Sequence, residues 1–434
     1  MSQDHVNIEE KMKTQMQKSP KILPKFVGKE SCCIFRVPPS LTEIDKKAYQ
    51  PQIVSIGPYH HGNKDLEMIQ EHKWRYLDDF IARTRKSLSF FLRLIVLKEK
   101  EIRQSYSESI EHVGSNDLAE MMVLDGVFLI ELFRKDGKLI PIDQDDPIFS
   151  MVWVTTFLRR DLLKLENQIP FFVLQTLFDE SRTDTHTLPS LILEFFNFSF
   201  NRPIPVLQPF TNLEGQHLLD LLRKSFINTD RNPAALKGND MPDKPYLRLI
   251  DTAGKLLVSG VNFKADRDTN SFLDVKLRSG VLSIPQINMD SFFTCFILNG
   301  VAFEQCYFYC SKDFTTYFVF LGCLIKNSTD VVLLSRYRII RNYFGTDEEL
   351  AKFCNNLMKD LTFDIKDNYL KGLFKEVNEY CSHIYRAILA MMKYDSPRSV
   401  IMTFMAFVGV YLAFIQTMYT VDRRNRELQH EHRK

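Results

Sequence analysis

Two adjacent imidazoles, His60 and His61, stand in the phrase Gly57-Pro58-Tyr59-His60-His61-Gly62, with Glu71 and His72 a short distance downstream. Imidazoles and carboxylates are ligands that zinc prefers, but a site needs three or four of them converging at about 2.0–2.2 Å. Neighbouring side chains of an extended backbone point to opposite sides, so His60 and His61 are poorly placed to share one ion. The glycines and Pro58 suit a tight turn with local ring hydrogen bonds. Turn chemistry is the expectation, and a ligand or partner contact is the functional alternative. A second group, Glu166-Asn167-Gln168, interrupts the otherwise apolar DLLKLENQIPFFVL. A buried Glu166 requires a cation or a proton, and Arg36, Lys73 and Arg75 are candidate partners. Asn167 and Gln168 can satisfy backbone groups left free around Pro170. Asp125 and Glu304, each beside large apolar residues, are further candidate buried carboxylates. Two facing carboxylates would permit general acid–base work. The expectation is a structural polar network of Tyr59, His60, His61, Asp125, Glu166, Asn167, Gln168 and Glu304. The competing reading is a hydrolase working near lipids through His60, Asp125 and Glu166.

Other chemical signatures fail. There is no G-x-S-x-G elbow, and Leu249 occupies the earlier glycine position that a phosphate loop ending at Gly254-Lys255 would require. Arg336, Arg338 and Arg341 beside Tyr337 and Tyr343 could grip phosphates, but a solvated helix face is the expectation. With a net charge of +2 there is no global field for nucleic acid. The eight cysteines form no C-x-x-C pair, and five fall in apolar helical runs, so they read as reduced thiols. Catalytic, cofactor and metal residues are therefore assigned to none.

The elements that must position these groups are mostly helical. Scarce glycine (16) and abundant phenylalanine (35) favour helices packed by aromatic side chains. Apolar residues recur at helical spacing from Leu66 to Ile81, and further runs follow at about 88–107, 116–135, 147–165, 170–179 and 189–197. The Pro-, Asn-, Asp- and Gly-rich stretch 227–245 reads as a connection between two helical halves, about 32–226 and 246–395. Strict alternation in Leu273–Arg278, a turn at Ser279-Gly280, then Val281–Ile284 and the earlier Val261–Lys264 predict a small antiparallel β meander. Helices return at about 290–310, 313–326, 330–341, 347–360 and 367–394. Cys32–Val37 reads as a short strand, and residues 1–31, without an apolar face, as a disordered lead-in. The fold class expected is mainly α (α+β): a multi-helix globular body over 32–395.

Near the C-terminus, Val400 to Tyr419 runs twenty residues without a charge and ends in a polar tail, 420–434. As a helix it would reach about 30 Å, the thickness of a bilayer's hydrocarbon core. Nine of its residues are Val, Ile, Leu or Phe, each favouring insertion by roughly 0.3–0.6 kcal/mol. A single membrane-spanning helix is expected, with a core helix as the alternative.

Several phrases together resemble the plant family called domain of unknown function 247. They are Ile34–Pro38, Tyr49–Gly62, Lys73–Leu77, Leu124–Phe128 and Asp161–Phe172 in the first half, and Gly260–Phe263, Ile284-Pro285 and Ala302–Cys306 in the second. The resemblance implies a largely helical land-plant protein with one C-terminal transmembrane segment and no established reaction or catalytic residues. Some grass members are implicated as pollen-side determinants of self-incompatibility.

Orientation rests on two opposed arguments. Three Lys or Arg precede the apolar segment in 380–399 and five follow it in 421–434, which would put the tail in the cytosol. The N-terminus has no apolar signal region, and transporting a body of this size without one is the harder step. A tail-anchored protein of the plasma membrane or endoplasmic reticulum, its body cytosolic, is the expectation. Asn197 and Asn327 head glycosylation sequons that would be used if the body were luminal. The functional expectation is a non-catalytic recognition or signalling protein. Its partners are the lipid bilayer and an unidentified protein, with no nucleic acid.

Overall fold

The computed structural model describes residues 3–17, 23–24, 26–43, 45–182, 185–228, 248–359, 361–382 and 397–431. The connection expected at 227–245 and the end of the 367–394 helix lie largely outside the described residues.

The chain is mainly helical with two small sheets, an α+β arrangement. Ser115–Asp136 is the axis of the first half. It is apolar all round, as a helix surrounded by others must be, and its residues from Leu118 to Lys135 are buried except Glu120. Gln70–Thr84, Leu88–Val96, Phe171–Glu180 and Leu188–Phe200 pack around it. Ser291–Cys306 plays the same part later in the chain, buried from Phe292 to Glu304 and flanked by Asp313–Leu324, Leu218–Lys224 and Val152–Asp161. One continuous cluster of buried apolar side chains runs from Cys32 to Val377. The phenylalanines knit it by edge-to-face contacts: the Phe272 ring lies 5.1–5.3 Å from Phe293, Phe314 and Tyr317.

Several expected elements are altered. The 88–107 run divides into Leu88–Val96 and Glu99–Gln104, and the 147–165 run into Pro147–Ser150 and Val152–Asp161. Leu218–Lys224 and Ala253–Val258 were not anticipated because neither is long enough to show a helical period. Cys32–Val37 forms only an isolated bridge, Ile34 with Tyr106. Within the lead-in, Gln3–Gln17 is a helix with a local Glu9–Lys13 ion pair of 2.6 Å.

The antiparallel meander is corrected to a mixed sheet. Its strands are β1 (Asn262–Asp266), β2 (Lys276–Arg278) and β3 (Val281–Pro285), in the order β1-β3-β2. The β2–β3 hairpin is antiparallel, but β1 lies parallel to β3. Ser279 and Gly280 both take positive φ, 49° and 77°, the condition for a two-residue turn that matches strand twist. That hairpin occupies one edge of β3, so β1 joins the other. A second, two-stranded parallel sheet pairs β4 (Ile287–Met289) with β5 (Ile340–Asn342).

The expected span lies within a 35-residue helix, Pro397–Glu431. Among the described residues no single helix is long and apolar enough to cross a membrane, and the apolar part counted there, Phe404–Thr420, falls short in length. Its large apolar side chains from Phe404 to Tyr419, Val408 apart, are nonetheless exposed, Tyr411 by 64% and Phe407 by 73%.

Candidate functional site

The segment Gln50–Gly57 is the key to the polar phrases. Pro51 and Pro58 keep it out of a helix, yet residues 53–58 are buried. Buried irregular backbone must find partners for every N–H and C=O, and distant side chains supply them. The backbone N–H groups of Gln52, Ile53 and Val54 all donate to Asp161 Oδ2, at 2.8, 2.7 and 3.2 Å. Ile56 N donates to Asn167 Oδ1 at 2.7 Å, and Gly57 N to Asp125 Oδ2 at 2.7 Å. In return, Asn167 Nδ2 donates to the Val54 carbonyl at 3.1 Å, Lys73 Nζ to that of Ser55 at 2.5 Å, and Lys164 to that of Gln50. Gly57 is required by shape: its φ is +76°, and a Cβ there would sit 2.5 Å from the Gln168 carbonyl oxygen.

The charges are balanced locally. Asp125, projecting from the Ser115–Asp136 helix, pairs with Lys73 of the Gln70–Thr84 helix at 2.6 Å, and both side chains are almost wholly buried. Asp161 pairs with Lys164 at 2.9 Å. Gln168 Nε2 donates to the carbonyls of Leu162 and Lys164, and its Oε1 accepts from Leu219 N. Asn167 and Gln168 therefore satisfy backbone, as expected, but that of 54–56, 161–164 and 219 and not that around Pro170.

Glu166 sits closer to the surface. Arg36 donates to its Oε2 at 2.7 Å and Val37 N to its Oε1 at 2.8 Å. The Arg36 guanidinium also lies 4.1 Å from the Tyr59 ring centroid and contacts Glu108 at 3.3 Å. His60 Nε2 is 3.5 Å from Glu166 Oε2 but makes no hydrogen bond. Burial lowers the His60 pKa, against the opposing pull of Glu166. Of the three suggested partners of Glu166, Arg36 is the one used. Lys73 serves Asp125, and Arg75 pairs at the surface with Asp143 and Asp145.

Glu304 belongs to a separate network. It accepts from Arg223 at 2.9 Å and from the backbone N–H of Phe314 and Thr315 at 3.0 and 2.8 Å. Those two groups are free donors in the first turn of the Asp313–Leu324 helix, so Glu304 caps that helix from outside. Burial raises the Glu304 pKa in spite of Arg223. Burial would also raise Asp220, but Arg223, Lys224 and His217 outweigh it and hold that carboxyl low. His217, wholly buried, bridges the Cys33 carbonyl and the backbone N–H of Asp220 at 3.2 and 3.3 Å. Burial lowers its pKa to about 4.

The structure thus brings Tyr59, His60 and Glu166 together through Arg36, and ties Asp125, Asn167 and Gln168 to the adjoining buried segment. Glu304 stands apart and His61 is exposed. Asp161, His217, Asp220 and Arg223 were not singled out from the sequence. Asp161 heads a quoted phrase, but an acidic residue beside leucines carries no signal for a three-donor backbone cradle. Among the described residues no three His, Cys, Asp or Glu side chains are grouped to hold a metal ion, and the eight cysteines are unbridged. A cavity of about 420 Å³ opens elsewhere, between β2 and the Lys371–Cys381 helix, lined by Leu273–Arg278, Tyr369 and Glu376 among others. The Asn197 amide is occupied on both sides by the Arg202 backbone, at 2.8 and 3.0 Å, whereas Asn327 is exposed.

Comparison with known proteins agrees with the phrases that carry the resemblance. A family model described as plant protein of unknown function matches residues 34–412. A UPF0481 protein of Arabidopsis thaliana is 38% identical over 424 residues, covering 92% of this chain and 88% of the relative. A putative UPF0481 protein of the same plant is 23% identical over 443 residues, covering 80% and 82%. No solved structure gives a significant match. The chain belongs to this plant family of unknown function.

Proposed function

We propose that this member of the family is a membrane-anchored, non-catalytic recognition or signalling protein, held by its C-terminal helix and acting through contacts with another protein. The observation that carries the reading is the state of that helix. Met402, Phe404, Phe407, Val410, Phe414 and Tyr419 are each between 64% and 78% exposed and point in all directions around the axis. Burying a side chain of this size is worth roughly 1.5–3 kcal/mol. An amphipathic stripe could be covered by docking on the body, but a helix apolar on every side needs an apolar solvent. Lipid is that solvent, and the whole helix offers more length than its central apolar part alone.

The body supports the non-catalytic half of the proposal. Asp125 is neutralised by Lys73 and engaged by Gly57, Glu166 is engaged by Arg36 and Val37, and Asn167 is saturated by backbone. Asp125 and Asn167 hold a buried segment in place and Glu166 is committed to Arg36 and Val37, so the hydrolase reading gains no support from them.

The test is extraction of the full chain from plant cells. The wild type is expected to stay in the membrane pellet through alkaline carbonate. Val410→Arg, which adds about 3 kcal/mol to insertion at the helix centre, is expected to release a large share. Recovery of the wild type in the first aqueous supernatant would overturn the anchor. Proximity labelling from the anchored chain should return a reproducible set of protein neighbours, and an empty set would overturn the recognition role.

A further inference from the structure

We infer that the body carries a second, weaker membrane contact, the outward face of the Leu88–Val96 helix and its flanks, which docks on an anionic lipid surface. This rests on the anchor reading and deepens it. The helix is nine residues, LSFFLRLIV, with one charge. It packs one side on the core, and its other side carries Ser89 and Arg93 beside leucine and valine side chains that stay at the surface. Phe91 and Ile95 point inward, with Phe91 5.0 Å from Phe80. Phe90, Leu92 and Leu94 are half-buried against the core, and outward Leu88 is 40%, Val96 48% and Leu97 83% exposed.

The flanks supply the charge. Between residues 83 and 104 there are seven Lys or Arg and two Glu. Arg83, Lys86 and Arg103 are committed to Glu131, Glu180 and Glu99. Arg85, Arg93, Lys98 and Lys100 pair with no carboxylate among the described residues, and Glu101 is the one opposing charge left in this stretch. Arg93 folds back onto the Ser89 carbonyl and Lys98 lies over the Phe172 ring. Exposed leucine and valine framed by unpaired cations match the headgroup boundary of an anionic bilayer, where apolar side chains sink and long cations reach the phosphates.

The experiment uses the full chain reconstituted in vesicles. The chain has two tryptophans, so Trp74→Phe and Trp153→Phe leave a silent background into which Leu97→Trp places one reporter at an exposed position. In brominated phosphatidylcholine vesicles containing phosphatidylserine, the reporter is expected to be quenched and blue-shifted, and much less so without phosphatidylserine. Arg93→Glu with Lys98→Glu should relieve the quenching, each lost cation lowering the docking equilibrium constant about fivefold. An ionic strength of about 1 M, where the Debye length is near 3 Å, should relieve it as well. In the unsubstituted chain, amide exchange across 88–98 should slow when phosphatidylserine is present. A chain that stays with the vesicles through alkaline washing but shows neither quenching nor slowed exchange would overturn the inference. So would shielding of the face in detergent that grows with protein concentration, which would assign it to a second copy. A chain lost on washing fails the anchor reading instead. Co-sedimentation at low salt then decides the docking: dependence on phosphatidylserine supports it, and independence overturns it.

Discussion

Asp125 and Lys73 show what a buried carboxylate–ammonium pair does for the backbone around it. Their 2.6 Å pair is buried, and each also holds backbone of the 55–57 segment. Removing one charge strands the other, which typically costs 3–5 kcal/mol. Asp125→Asn is therefore expected to destabilise the body by about that amount, lowering the denaturation midpoint in a urea titration. Asp125→Asn together with Lys73→Met should recover part of the loss, since no lone charge remains. A general base would behave differently: the fold would survive the single substitution. Glu166 was recognised as needing a cation because a carboxylate in an apolar phrase has few other options. Which cation it took, Arg36 and not Lys73, depends on where the chain returns after more than a hundred residues.

The short helix Leu218–Lys224 is capped by His217, whose ring accepts from Asp220 N and faces the Cys33 carbonyl. This cap works only with a neutral ring, because a protonated imidazole has no acceptor. Burial sets the folded pKa at about 4 against an ordinary value of 6.5. Between these values the unfolded chain binds the proton and the folded one does not, so stability rises with pH across that window. The contribution is fully present above about pH 6.5 and is lost progressively as pH falls towards 4, by about 3 kcal/mol in total. Burial lowers His60 too and adds in the same direction. Thermal melts between pH 7 and 4 should show this slope, and His217→Asn, which keeps a capping oxygen, should flatten it at some cost at pH 7. Helix-scale periodicity had marked the long helices well, and the β2–β3 hairpin was legible in alternation and a Ser-Gly turn. The place of β1 was not, because the hairpin leaves two open edges, one of β2 and one of β3, and alternation does not choose between them or set the strand direction.

The molecule as a whole combines one continuous core, from Cys32 to Val377, with a helix that the core leaves uncovered. A cytosolic body on a C-terminal anchor and a luminal one differ in which face of the membrane the sequons meet. Only one is open for modification: Asn327 is exposed, while the Asn197 amide is used by Arg202. The expected outcome for a cytosolic body is no mobility shift on glycosidase treatment of the chain from plant tissue. A shift abolished by Asn327→Gln would place the body in the secretory lumen or outside the cell.

From residue types and their order alone came the helical class, the apolar C-terminal segment, the family, and the polar phrases that matter, since composition and periodicity are local and additive properties. Two further matters were decided by packing: which carboxylate meets which cation, and that Asp125, Asp161 and Asn167 all serve one buried irregular segment. Hydrogen bonds spanning about a hundred residues leave no trace in spacing. Their partners are chosen only when the core excludes water and every stranded backbone group must be matched.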